Sequence, residues 1–243
     1  MTLSKRLQAI ADMVTPGLKL ADIGTDHAYI PISLAEEGII PAALAMDVRE
    51  GPLERAAAHI RDHCLQDKVK TRLSDGAAGL KTGEADSVVI SGMGGLLMMR
   101  ILSEGAAVLS YADELILQPQ SDISSVRRFL YESGYMIDLE NMVCEDGKYY
   151  SMFRAVRRHG CCPEEYEYKY DIDFEFGKLL MDAHHPVLKA WLNADLLKTE
   201  MIMAQLRDKN TKTGNARLAQ MQEHAARLRE ALERCGGSPG SES

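Results

Sequence analysis

The sequence predicts an α/β fold: a parallel sheet covered by helices, closed by an antiparallel hairpin, and followed by a separate pair of long helices. Three observations carry this expectation. Short apolar runs alternate with helix-period segments through the first 160 residues, the order that builds a parallel sheet with helices on both faces. An Asp-Gly turn signal then joins two strand-like runs. Beyond it, two apolar seams step by three and four around a polar break.

Each element follows from local pattern. Leu3, Leu7, Ile10 and Val14 recur at helical spacing, so 2–14 is expected to be an amphipathic helix stopped by Thr15, Pro16 and Gly17. The apolar run 18–23 reads as a buried strand emptying into a loop at Asp22 to Gly24, and 27–37 as a helix ended by Gly38. Strand 42–48 closes on Asp47, helix 52–63 follows, and strand 69–73 ends at Ser74, Asp75 and Gly76. Strand 86–90 runs into Ser91, Gly92, Met93, Gly94 and Gly95, with a Met/Leu-rich helix behind it. Strand 114–117 ends at Gln118 and Pro119, and helix 121–132 has Ser121 or Asp122 as its expected cap. Runs 135–143 and 149–156 flank Asp146 and Gly147. Five parallel strands ending in an antiparallel hairpin form the Rossmann-like sheet of class I methyltransferases, not a dehydrogenase half.

After His159 the composition shifts to an acidic, Tyr-rich stretch, 164–176. Leu192, Leu196, Thr199, Met203 and Leu206 then form one seam, and Leu218, Met221, Ala225, Leu228 and Leu232 a second. Around the polar turn 210–215 they describe an antiparallel, coiled-coil-like helical hairpin, with a flexible tail from about 236. The expected domains are therefore 1–159 and 160–243. A monomer is expected, with the hairpin as the surface through which two copies would pair.

Composition narrows the class. The 243 residues are 46% apolar and 26% charged, enough for a sizeable core and against wholesale disorder. No run of about 18 uncharged apolar residues occurs, and Met1 to Arg6 leads into no signal-peptide pattern, so no membrane span or secretion is expected. Five cysteines, at 64, 144, 161, 162 and 235, form no C-x-x-C pair and no zinc spacing, which reads as reduced cytoplasmic thiols and no metal site. The net charge of −8 does not decide for or against nucleic acid. Acids gather in 164–182, while basic clusters stand at Lys68/Lys70/Arg72, Arg127/Arg128 and Arg154/Arg157/Arg158/His159.

In a doubly wound sheet the ligand lies beyond the carboxyl ends of the strands, and here every such end is polar or glycine-rich. The first loop discriminates between cofactors. A dinucleotide site wants G-x-G-x-x-G facing a pyrophosphate, but the later glycine positions hold Asp26 and Ala28. A carboxylate there would repel the phosphates at a cost of several kcal/mol. S-adenosylmethionine has a sulfonium cation and no phosphate, so an acidic rim suits it. Asp47 stands where an acid takes a ribose hydroxyl pair, and Asp75 is placed to accept the adenine amino group. The glycines of 91–95 let backbone approach a planar ring, which leaves Tyr29 as the stacking aromatic. His27 is a further catalytic candidate beside a capping or packing role.

The blocks Asp22-Ile-Gly-Thr-Asp-His-Ala-Tyr29, Leu73-Ser-Asp-Gly76, Ile90-Ser-Gly-Met-Gly-Gly95 and Leu117-Gln-Pro119, with the C-terminal helices, resemble the bacterial TrmK family over essentially the whole chain. That resemblance implies an S-adenosylmethionine-dependent tRNA (adenine-22 N1) methyltransferase whose helical domain helps hold tRNA. The residues expected to hold the cofactor are Asp22, Gly24, Thr25, Asp47, Val48, Ser74, Asp75, Gly76, Gly92, Met93 and Gly94. Substrate is expected at Gly95, Gln118, Pro119, Arg127 and Arg128, and chemistry at Asp26, His27 and Tyr29. Asp26 would accept from the adenine N6 amine and Tyr29 would stack the base. The alternatives are methylation of a small molecule or protein, a non-catalytic cofactor-binding module and, third, a dehydrogenase.

Overall fold

The structure is a computed structural model that describes residues 1–158, 160, 163–207 and 212–236. It forms two compact units, Met1–Glu167 and Tyr168–Ser243. The division falls after Glu167 instead of at 159/160 because the short 3-10 turn Glu164–Tyr166 packs on the sheet hairpin of the first unit. His159, Cys161, Cys162, the turn residues 208–211 and the tail 237–243 lie outside the described residues.

The first unit is a seven-stranded sheet in the order β3-β2-β1-β4-β5-β7-β6. Its parallel strands are β1 (Leu20–Ile23), β2 (Ala43–Asp47), β3 (Val69–Leu73), β4 (Ser87–Met93) and β5 (Glu114–Pro119). Antiparallel β6 (Tyr135–Glu145) and β7 (Lys148–Arg157) complete it. The sheet thus carries the expected antiparallel end. Asp146 and Gly147 both take positive φ, 50° and 73°, the backbone a two-residue hairpin turn of type I′ needs. One register irregularity, between Ile137 and Leu139 of β6, sets Asp138 out of step. At the far edge, β3 keeps Val69 buried and leaves Lys70 and Thr71 exposed.

The helices in chain order are α1 (Lys5–Ala11), α2 (Tyr29–Glu36), α3 (Glu50–Asp62), α4 (Gly95–Glu104), α5 (Ala106–Leu109) and α6 (Ile123–Glu132). Three depart from expectation for identifiable reasons. α1 starts only at Lys5 because Ser4 Oγ accepts from the Leu7 amide at 3.3 Å and caps it. It stops at Ala11, where Met13 and Val14 turn to i→i−3 bonds. α2 starts two residues late, at Tyr29, because His27 and Ala28 are left-handed. α6 has no side-chain cap: Asp122 is itself left-handed, and Ser121 Oγ donates to Asp122 and accepts from the Gly95 amide. Pro31 and Pro52 sit in the first turns of α2 and α3, where no intrahelical N–H is lost. Ile10, Ile32, Val89 and Ile116, from helices on one face and the strands beneath, are fully buried.

The second unit holds a π-helical turn (Asp173–Gly177), α7 (Lys178–Asp182), α8 (Pro186–Arg207) and α9 (Lys212–Arg234). α8 and α9 pack together along the expected seams: Leu192, Thr199 and Met203 are buried, as are Ala225, Leu228 and Leu232. The break is shorter than the expected 210–215, since α9 already includes Lys212 to Asn215. Asp173, buried, accepts from the Lys169 and Tyr170 amides and pairs with Arg234.

Candidate active site

β1 and β4 lie side by side, with Ile23 opposite Ile90. Chain connections run outward from them in opposite directions, to β2 and β3 on one side and to β5 on the other. This is the switch point at which an open α/β sheet leaves a crevice. A cavity of about 290 Å³ occupies it. β1 supplies Asp22 and the loop after it Gly24, Thr25 and Asp26; Tyr29 and Ile30 come from α2, and Ser91 and Gly92 from β4. Arg6 and Leu7 of α1 and Gln120 close the remaining side.

The first loop is built to hold an acid away from water. The Gly24 and Thr25 amides both donate to Met46 O, at 2.7 and 2.8 Å, and turn the chain at the strand end. Gly24 has φ +80°, and the methyl tip of Met93 lies where a Cβ would be. Asp22 is buried, and that desolvation pushes its carboxyl up to about 6; the Thr25 hydroxyl beside it offsets part of the rise, and Asp47 adds to it. Thr25 Oγ1 and His27 Nδ1 are buried without a hydrogen-bond partner of ordinary geometry, the kind of orphan a bound ligand satisfies. His27 and Ala28, at φ 62° and 56°, are consecutive non-glycine residues in the left-handed region, which costs roughly 1–2 kcal/mol each.

At the mouth, Asp26 is exposed and its carboxylate takes Arg55 Nη2 at 2.9 Å, with His27 Nε2 at 3.5 Å. Among the described residues Tyr29 is the one aromatic on the cavity wall, and its ring stacks on His27 with centroids 5.2 Å apart. Asp47 ends β2, and Val48, Asp75 and Gly76 follow β2 and β3 at the same end of the sheet; none of them is among the described residues lining the cavity. Asp47 is buried and accepts from the Arg49 amide at 2.8 Å. Val48 is 58% exposed beside it, an apolar surface open to a ring. Asp75 pairs with Arg100 at 3.0 Å. Gly76 has φ +55°, with Ile101 2.9 Å from the position of a Cβ.

Several expected contacts prove to be scaffolding. Ser74 Oγ donates to Gly76 O and accepts from the Gly79 amide, so it shapes the turn after β3. Gln118 is fully buried; its Oε1 accepts from the Gly92 amide at 3.2 Å and from Arg6 Nη1 at 3.0 Å. Pro119 is a buried strand end paired with Met93. Gly94, expected at the cofactor, is the half-exposed cap of α4, whereas Gly95, expected at the substrate, is buried and pressed on the 121–126 segment. Arg127 is the clearest correction: at 1% exposure it lies inside the unit, ion-paired at 2.8 Å with Glu140, and cannot touch substrate. Arg128 is exposed. The other basic clusters are also tied internally, Arg72 to Glu84 and Arg154 to Asp138.

Gly95→Ala tests the tight junction behind the glycine loop. A Cβ there would sit 2.5 Å from Ser121 O, a backbone atom that cannot swing aside. The variant is expected to lose about 1–3 kcal/mol, read as a lower Tm; an unchanged Tm would show that α4 and the 121–126 segment are not in close contact.

Sequence reasoning missed Arg6, Leu7, Ile30, Ser91 and Gln120 as cavity residues. Ser91 lay within a motif already singled out. Arg6 had no local signal, because what makes it a site residue is Gln118, 112 positions away.

The sheet order and the crevice at its switch point, lined by Asp22 and Asp26, define a class I methyltransferase domain. A methyltransferase-domain family model matches residues 3–153. The chain is 37% identical over 153 residues to the Bacillus subtilis tRNA (adenine(22)-N(1))-methyltransferase, a match covering 63% of this chain and 64% of that enzyme's length. The crystal structure of the B. subtilis m1A22 tRNA methyltransferase TrmK superposes with a TM-score of 0.81 at 28% identity, over 95% of this chain and 99% of that one. A Streptococcus pneumoniae putative tRNA (m1A22) methyltransferase, solved with S-adenosyl-L-methionine, gives 0.82 at 30% identity, over 95% and 100%. The chain belongs to the TrmK family.

Proposed function

We propose that this chain transfers a methyl group from S-adenosylmethionine to N1 of adenine-22 in tRNA. The observation that carries the proposal is the cavity itself, which sets a buried acid and a guanidinium on its wall and a tyrosine and a carboxylate at its mouth. Arg6 and Asp22 suit the zwitterionic amino-acid end of the donor, and the buried Thr25 hydroxyl beside Asp22 suits a polar ligand atom. Asp47 and Asp75 suit the ribose hydroxyls and the adenine amine, with the exposed Val48 as an apolar face for a ring. The donor, once bound, supplies an electrophilic methyl carbon on a positively charged sulfur. The similarity to enzymes that act on tRNA adenine-22 supports the substrate. The described residues that line the cavity run from Arg6 to Gln120, and a monomer is the state proposed. No helix among the described residues is long and apolar enough to cross a membrane, and no metal-holding cluster occurs among them; a cytoplasmic location goes with the substrate.

Adenine N1 already presents an in-plane lone pair, so the protein needs no base to create the nucleophile. Its task is orientation. Tyr29 stacks the ring, and Asp26 accepts from the N6 amine, which stabilises the positive charge that develops on the base. Because N1 is on the pairing edge, the nucleotide must leave the tRNA stack, at a cost of a few kcal/mol.

Tritium transfer from labelled donor to unmodified tRNA, followed by nucleoside analysis, tests the assignment; label in any base other than N1-methyladenine would redirect it. Asp26→Asn and Tyr29→Ala are each expected to lower the single-turnover rate about 100-fold with donor affinity preserved. Wild-type rates in both would remove their roles.

A further inference from the structure

Arg55 and His59 of α3 and His63, the C-cap of that helix, stand four residues apart along one face. Each meets the segment that runs from the β1 loop through α2. Arg55 holds the Asp26 carboxylate at 2.9 Å, and His63 Nδ1 lies 2.5 Å from Glu36 Oε1. Between them the His59 ring packs against both rings of the loop, with centroids 4.9 Å from His27 and 5.5 Å from Tyr29. His27 and Tyr29 are themselves nearly parallel, at 16°.

The loop needs such a support. Its two left-handed residues, His27 and Ala28, persist only where the surroundings over-determine them. The Tyr29 ring follows directly, and an unsupported ring on a surface segment would sample several rotamers. A face that must receive a planar base in line with the methyl carbon loses rate when it wanders.

We propose that His59 is a positioning residue for methyl transfer: with His27 it backs the Tyr29 ring, so that Tyr29 offers one fixed face to an unpaired purine. Arg55, one turn earlier on α3, fixes Asp26 in the same way. α3 is thus the second half of the base-binding site, supplied from a helix that does not itself line the cavity. The inference deepens the tRNA reading and rests on it.

The test uses the full-length chain, labelled S-adenosylmethionine and unmodified tRNA. His59→Ala is expected to lower the single-turnover rate about 10-fold, the scale of one lost stacking partner, with the Kd for S-adenosylmethionine within about 2-fold of wild type. His59→Phe keeps a flat ring and is expected to recover most of the rate. A wild-type rate in His59→Ala, a parallel loss of donor affinity, or no recovery in His59→Phe each overturns the inference while wild-type activity on tRNA stands. A wild-type chain that transfers no methyl to tRNA fails the tRNA reading itself, and the inference with it.

Discussion

Arg127→Met is expected to destabilise the first unit by about 3–5 kcal/mol, because it removes from the interior the guanidinium that neutralises the Glu140 carboxylate. The side chains of both partners are withdrawn from solvent, at 1% and 0% exposure, with Nε to Oε1 at 2.8 Å. The guanidinium also lies over the Phe153 ring at 5.4 Å, so the variant loses packing as well as charge. In a unit of this size each kcal/mol is worth about 2–4 °C in Tm. The double variant Arg127→Met/Glu140→Leu should recover most of the loss, since an apolar pair of similar volume needs no desolvation. Urea denaturation of the single and double variants decides it. A single variant within about 1 kcal/mol of wild type would show that water reaches Glu140. Below its Tm the single variant should methylate normally, as expected of a residue that never meets RNA.

Asp22→Asn should move stability and donor affinity in opposite directions. The carboxyl is raised from 3.8 to about 6 by burial, so the folded state holds a proton more tightly than the unfolded chain. Its contribution to stability is intact below about pH 4 and is lost as the pH climbs through 6; above that, ionisation costs the fold about 3 kcal/mol. The amide carries no such cost, so the variant should melt higher than wild type at pH 8 and match it near pH 4. A cationic donor favours the ionised acid, so wild-type affinity should strengthen from pH 5 to pH 7 with proton release on binding. The variant should bind about 10- to 100-fold more weakly and lose that pH dependence. Calorimetry in two buffers of different ionisation enthalpy measures both effects. Equal pH profiles for the two proteins would remove Asp22 from the site.

The strands were legible because each buried run ends abruptly in polar or glycine-rich residues, and a parallel sheet puts all those ends on one rim. Residues 69–73 and the Asp146-Gly147 turn were legible for local reasons, a short run stopped by Ser74, Asp75 and Gly76 in the first and obligatory positive φ in the second. The seams of α8 and α9 followed from spacing alone. Boundaries failed where one side chain decided them, as at Ser4, or where strain did, as at His27 and Ala28. The site was readable as far as its first loop, whose Asp26 and Ala28 replace glycines. Arg127 was misread because a charge beside another charge on an amphipathic helix looks solvated. Only the position of Glu140 on β6 reveals otherwise. Arg6 and His59 were invisible for the converse reason: their partners, Gln118 and Tyr29, lie on other elements, and no periodicity records that.

The outermost strand β3 offers open backbone on one side, yet Lys70 is exposed on it and Arg72 is held there by Glu84. At the opposite border the register slip at Asp138 breaks the regular ladder of β6, and Arg154 fixes it in place. A neighbouring molecule seeking to extend the sheet meets charge at one margin and a kink at the other. Growth into fibres is thereby discouraged even at high protein concentration, and replacing Lys70 with an uncharged β-branched residue would remove one of those two guards.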